Sequence, residues 1–133
     1  MKFNSQICTT RSQSERLLAL GLKKETADMV HQAIGVGPYK VWGNKEVEED
    51  FFPAWSLHRL MEMMPRLIKM QGKECRLRLT TRTVEYAYPI PNEIEWPKWL
   101  SIVPEKDTCY DAIILCIEWL IKEGYFNKEY LEE

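Results

Sequence analysis

Residues 108–124, TCYDAIILCIEWLIKEG, decide the fold of this chain. Counted from Cys109, positions 109, 112, 113, 116, 117 and 120 are Cys, Ala, Ile, Cys, Ile and Leu. That is the i, i+3, i+4 spacing of one buried helical stripe. The flank of Tyr110, Ile114, Ile117 and Ile121 is just as apolar, and charge is confined to Asp111, Glu118, Lys122 and Glu123. A helix wetted on so narrow a strip must be covered on two sides, by its own domain or by a partner chain. Asp107 or Thr108 is the expected N-cap, Asp111 suits the positive end of the helix dipole, and Gly124 ends the helix.

Upstream of this helix the period drops from 3.6 to two. From Glu74 to Thr80, Cys75, Leu77 and Leu79 fall on one side and Glu74, Arg76 and Arg78 on the other. Val84, Tyr86 and Tyr88 alternate in the same way, and Leu67 to Gln71 leads into a Gly72-Lys73 turn. These runs predict an antiparallel meander of two or three strands. Pro89, Pro91 and Pro97 predict an irregular segment after it, with Trp96, Trp99 and Leu100 folding back onto the core.

The N-terminal part predicts helices. Ser12 and Glu15 have capping-box spacing; Leu17, Leu18 and Leu20 follow, and Gly21 and Leu22 suit a left-handed C-terminal cap. A second short helix is expected from Glu25 or Thr26, carrying Ala27, Met29 and Val30, with Gly35-Val36-Gly37-Pro38 as its terminator. Tyr39 to Trp42 reads as a short strand and the acidic run Glu46 to Asp50 as a solvated loop. Ser56 is a good N-cap for a helix from Leu57 to Met64, with Leu57, Leu60, Met61 and Met64 on one face and Pro65 as its stop. Asn127 is placed to cap a last turn through Leu131. The expected fold is α+β: a single domain over residues 1–133, with a small antiparallel meander against a long C-terminal helix and shorter N-terminal helices.

Composition fits that expectation. The chain has 133 residues, 45% of them hydrophobic and 29% charged, with a net charge of −2. This is ordinary globular composition and gives no whole-chain attraction to nucleic acid or to an anionic membrane. No apolar run approaches the ~20 residues of a membrane span, and Met1 to Thr10 holds no secretory hydrophobic stretch, so a cytoplasmic location is expected. Cys8, Cys75, Cys109 and Cys116 show no C-x-x-C spacing. Cys109 and Cys116 lie two helical turns apart, about 10.5 Å, too far to bridge, so buried free thiols are expected.

Little in the chain asks for catalysis. The two histidines, His31 and His58, belong to no metal-binding spacing and read as surface or half-buried helix residues. Gly35 to Gly37 runs into proline and cannot open a phosphate-binding helix. Glu48 and Glu49 sit in an exposed acidic run, where nothing would raise a carboxyl pKa. Glu62 and Glu118 read as single acids on the wet side of helices. No enzymatic activity, no metal and no cofactor are expected. The one uneven charge distribution spans Arg66 to Arg82, where six basic residues face Glu74 alone. Lys73, Arg76, Arg78 and Arg82 are candidate contacts for nucleic acid or an acidic partner, with Tyr86 or Tyr88 nearby. The plainer reading is the polar outer side of a two-faced sheet. Residues 105–133 carry eight acids against three bases, an acidic surface that a basic face of the same chain or another copy could meet. Of the five tryptophans, Trp55 and Trp119 read as core; Trp96 and Trp99 form a candidate aromatic patch for a partner, or fold over the end of the core.

Three stretches carry a resemblance: Ser14 to Leu22 with Glu25 to Met29; Pro53 to Leu60 with Met64-Pro65; and Tyr110-Asp111-Ala112 with Ile117 to Leu120 and Gly124-Tyr125. In these the chain resembles a group of short proteins of Bacteroides-type gut bacteria, their prophages and mobile elements. That group has no assigned activity, so no functional residue carries over. The resemblance implies a cytoplasmic, phage- or element-associated accessory protein. A non-catalytic role in binding another protein is therefore expected, with a homo-oligomer suggested by the apolar breadth of the last helix. The alternative is a nucleic-acid-binding module that uses the basic strands around residues 66–82.

Overall fold

Thr10, not Ser12, opens the first helix, α1 (Arg11–Ala19). Its hydroxyl accepts the Gln13 amide N–H at 3.1 Å, and the Gln13 side chain accepts the Thr10 N–H at 3.0 Å. The capping box therefore sits two residues earlier than the Ser12 and Glu15 spacing predicts. Both pairs satisfy the local pattern; the earlier one also buries Ser14, whose hydroxyl shares a 2.7 Å hydrogen bond with that of Thr9. The C-terminal cap forms as expected. Gly21 takes φ +100°, Leu22 N–H donates to Leu17 O, and Gly21 N–H donates to Leu18 O, the paired bonds of a Schellman motif.

The computed structural model describes residues 6–32, 40–41, 51–88, 98–101 and 104–133. They divide into two compact units, residues 1–63 with 128–133 and residues 64–127. The Gly35 to Pro38 terminator and the Glu46 to Asp50 run lie outside the described residues, as do Tyr39 and Trp42. So does Trp96.

The first unit holds a three-stranded antiparallel sheet in the order β2-β1-β3: β1 (Met29–Gln32), β2 (Lys40–Val41) and β3 (Phe51–Ala54). The second helix expected over this stretch is absent. Lys24–Thr26 makes one 3-10 turn, and Met29 to Gln32 pair with Ala54 to Phe51 instead. A single apolar pair, Met29-Val30, cannot distinguish helix from strand, and the long-range ladder decides. Pro53 is tolerated because β3 is an edge strand. Strand β3 runs into Trp55, fully buried as expected, and Ser56, whose hydroxyl accepts the Arg59 N–H at 3.1 Å and caps α2 (Leu57–Met63). The buried residues of α2 and its end are Leu60, Met63 and Met64; Met61 is 40% exposed, correcting the predicted face. Helix α1 packs on β3, and the last residues return to this unit through a Leu22 to Leu131 antiparallel bridge.

The second unit is a four-stranded antiparallel sheet, β4-β5-β6-β7, with a helix on one side. Its strands are β4 (Leu67–Met70), β5 (Lys73–Leu79), β6 (Val84–Tyr88) and β7 (Lys98–Ser101). The meander is thus one strand longer than predicted: β7 emerges from the proline-rich stretch read as irregular. Helix α3 (Cys109–Lys122) packs against β6, with Thr108 as N-cap and Gly124 at φ +80° closing a second Schellman motif. Ala112, Ile113, Ile114, Cys116, Ile117 and Leu120 are all 0% exposed. Each large aliphatic side chain buried this way contributes roughly 1.5–3 kcal/mol. The central stripe of α3 is buried within a single chain, and Cys109, Leu115, Trp119 and Ile121 on its margins are half-buried. The protein is an α+β protein.

Candidate interaction face

The β4–β5 hairpin sets the parity of everything on the sheet. Gln71 (φ 50°) and Gly72 (φ 77°) are both left-handed, the signature of a two-residue type I′ turn, so Met70 pairs with Lys73. From there the register fixes two faces. Ile68, Cys75, Leu77, Leu79, Val84 and Tyr86 lie on the inner face, where Ile68, Cys75, Val84 and Tyr86 are buried. Tyr86 packs 6.5 Å from the Trp119 ring of α3 and donates its hydroxyl to Pro65 O at 3.0 Å. Burial raises its pKa. The outer face carries Leu67 and Lys69 from β4, Glu74, Arg76 and Arg78 from β5, and Glu85 and Ala87 from β6.

This parity separates the candidate basic contacts. Arg76 and Arg78 share the outer face. Lys73 belongs to the other, where its ammonium lies 4.5 Å from the Tyr88 ring centre. Arg82 lies in the β5–β6 connection, bonded to Lys106 O at 3.0 Å and to Glu105 at 3.2 Å. Tyr86 and Tyr88 also lie on the inner side, so neither interleaves with Arg76 and Arg78. Of the candidate aromatic patch, Trp99 lies in β7 with its backbone opposite Ala87.

The acids on the sheet are equally ordered. Lys69 stands opposite Glu74 and Arg78 opposite Glu85. Arg76 has Leu67 on one side and Ala87 on the other, and among the described residues it has no ion-pair or hydrogen-bond partner for its side chain. Leu67 is 51% exposed, the most exposed large hydrophobic residue of the described chain. A guanidinium with no ion-pair partner among the described residues, beside an exposed aliphatic side chain, is the arrangement that this sheet presents to solvent. Lys69 belongs to the basic run that the sequence shows but not to the candidate contacts, and Leu67 to neither; the alternation of Leu67 and Lys69 against Ile68 and Met70 places both on the outer face.

The remaining chemical groups are engaged internally. His31 lies on β1, not on a helix, with Nε2 2.7 Å from Thr9 O. His58 is exposed on α2, 2.7 Å from Glu62. Asp28 accepts both the N–H and the hydroxyl of Ser56, and the Trp55 indole N–H donates to Thr26 Oγ1 at 3.0 Å. All four cysteines are free thiols. Burial pushes the pKa of Cys116 up to about 12, and burial with the nearby Asp28 carboxylate does the same for Cys8. Among the described residues no cluster of His, Cys, Asp or Glu could hold a metal ion, and no helix is long and apolar enough to cross a membrane. Compared with protein-family models, with curated proteins and with solved structures, the chain matches none.

Proposed function

We propose that the outer face of the β4–β7 sheet is a protein-binding surface centred on Arg76 and Leu67, and that the protein acts by non-catalytic association in the cytoplasm. The observation that carries this is the contrast among the cations. Lys69, Arg78 and Arg82 face Glu74, Glu85 and Glu105, whereas Arg76 stands between Leu67 and Ala87 and has no ion pair among the described residues. Arginine beside an apolar side chain is characteristic of protein–protein contact centres. A nucleic-acid track favours a run of uncompensated charge with stacking aromatics. The partner surface would offer a carboxylate for Arg76 next to an apolar patch for Leu67. The free thiols fit a reducing compartment, and the resemblance to phage- and element-borne accessory proteins suggests a host or phage protein as the partner.

The test is affinity capture of tagged protein from host lysate, wild type beside Arg76→Glu, each with and without nuclease. Bands that survive nuclease and vanish with Arg76→Glu support the reading. Bands indifferent to Arg76→Glu refute it. Material lost on nuclease treatment, with a steep fall in binding as salt rises, moves the assignment to nucleic acid.

A further inference from the structure

The outer edge of β4 carries a second feature, built from the main chain of the strand whose Leu67 side chain belongs to the Arg76 face. Among the described residues strand β4 ends the sheet, and its inward hydrogen bonds to β5 come from alternate residues. The two-residue hairpin makes Met70 and Lys73 a hydrogen-bonded pair, and Leu77 N–H donates to Arg66 O at 2.9 Å. Residues 66, 68 and 70 therefore bond inward, while Leu67 and Lys69 aim their N–H and C=O groups outward. Such an edge is self-complementary. A second copy laid antiparallel about a two-fold axis at Ile68 would pair Leu67 with Lys69 of the other chain, and the reverse. Four main-chain hydrogen bonds would form, two of them received by the Lys69 carbonyls.

Tyr125 occupies that carbonyl. Its hydroxyl donates to Lys69 O at 3.2 Å, and its ring is stacked on Trp119 at 5.6 Å, interplanar angle 29°. The position of Tyr125 is fixed in turn by the cap that closes α3, where its N–H donates to Leu120 O at 2.9 Å. We infer that the β4 edge is a strand-pairing surface for a second copy of this chain, held closed by Tyr125.

The experiment is sedimentation velocity of the whole chain over a dilution series, for wild type, Tyr125→Ala and Tyr125→Ala with Leu67→Pro. Each copy gives up one hydroxyl bond on pairing, so Tyr125→Ala should tighten dimerisation by about ten- to a hundredfold. Tyr125→Phe, which keeps the ring on Trp119, should shift it less, in the same direction. Leu67→Pro removes an outward N–H at the first residue of an edge strand, where proline is tolerated, and should restore the monomer. Hydrogen exchange should slow at the Leu67 and Lys69 amides as the Tyr125→Ala variant associates. Equal self-association of wild type and both Tyr125 variants overturns the inference, as does a Tyr125→Ala dimer that survives Leu67→Pro.

Discussion

Thr9 is the residue whose replacement most sharply tests how the first unit is held together. It is fully buried just before α1, and besides the contact of its carbonyl with His31 it makes three further connections at once. Its N–H donates to Trp55 O at 2.9 Å, its hydroxyl accepts the Trp55 N–H at 3.0 Å, and that hydroxyl shares a hydrogen bond with Ser14 Oγ at 2.7 Å. Thr9→Val keeps the shape and the backbone bond but removes the oxygen. The buried Trp55 N–H then lacks an acceptor, at a cost of about 1–3 kcal/mol, and the buried Ser14 hydroxyl loses its partner for about 1 kcal/mol more. Together this predicts a loss of roughly 2–4 kcal/mol. Thr9→Ser keeps the oxygen and loses one methyl group, costing about 1 kcal/mol. Urea unfolding followed by tryptophan fluorescence measures both. The expected order is wild type, then Thr9→Ser, then Thr9→Val, with unchanged slope. A Thr9→Val protein as stable as Thr9→Ser would refute the claim that the hydroxyl, not the volume, holds this corner.

Other outcomes follow from single features. Gln71→Asn converts the hairpin turn to Asn-Gly, the preferred type I′ pair, and should stabilise the protein by about 0.5 kcal/mol in the same assay. Gly124→Ala places a side chain at φ +80° with nothing within 4 Å, so its cost should be backbone strain alone, about 1–2 kcal/mol by thermal unfolding. Burial pushes the Cys8 and Cys116 thiols up to about 12 in the folded protein, from an ordinary 9.0. Their folded-state pKa is raised, so this contribution is fully present below pH 9 and is lost as pH rises from there toward 12. The slope approaches about 1.4 kcal/mol per pH unit for each thiol. Alkylation in native buffer at pH 8 should reach Cys109 first, with Cys8, Cys75 and Cys116 labelled only on unfolding; rapid native labelling of Cys116 would contradict its burial.

What could be read from the chain depended on whether local chemistry or distant pairing decided each element. Gly21 and Gly124 marked both Schellman caps, because only the backbone conformation matters there. Helix α3 was legible for a related reason: so long an apolar run at helical period has one way to bury itself. Strand β1 was not, since Met29 and Val30 become a strand only by pairing with residues ten or more positions away, on β2 and on β3. Strand β7 is four residues long behind three prolines, and its register comes from β6. Neighbourhood in sequence grouped Lys73 with Arg76 and Arg78, but the two-residue period puts Lys73 on the other face. The cross-strand acids that distinguish Arg76 from Arg78 were invisible until the register was known. Tyr125 lies more than fifty residues from the carbonyl that it covers, and no local pattern announces such a contact.

The most direct test of the Arg76 face is a photo-crosslinking residue placed at Leu67, with a second placed at Glu15 on the exposed side of α1 as the control. After irradiation with the captured partner, a covalent adduct should form from position 67 and none from position 15. An adduct from position 15 with none from position 67 would contradict it.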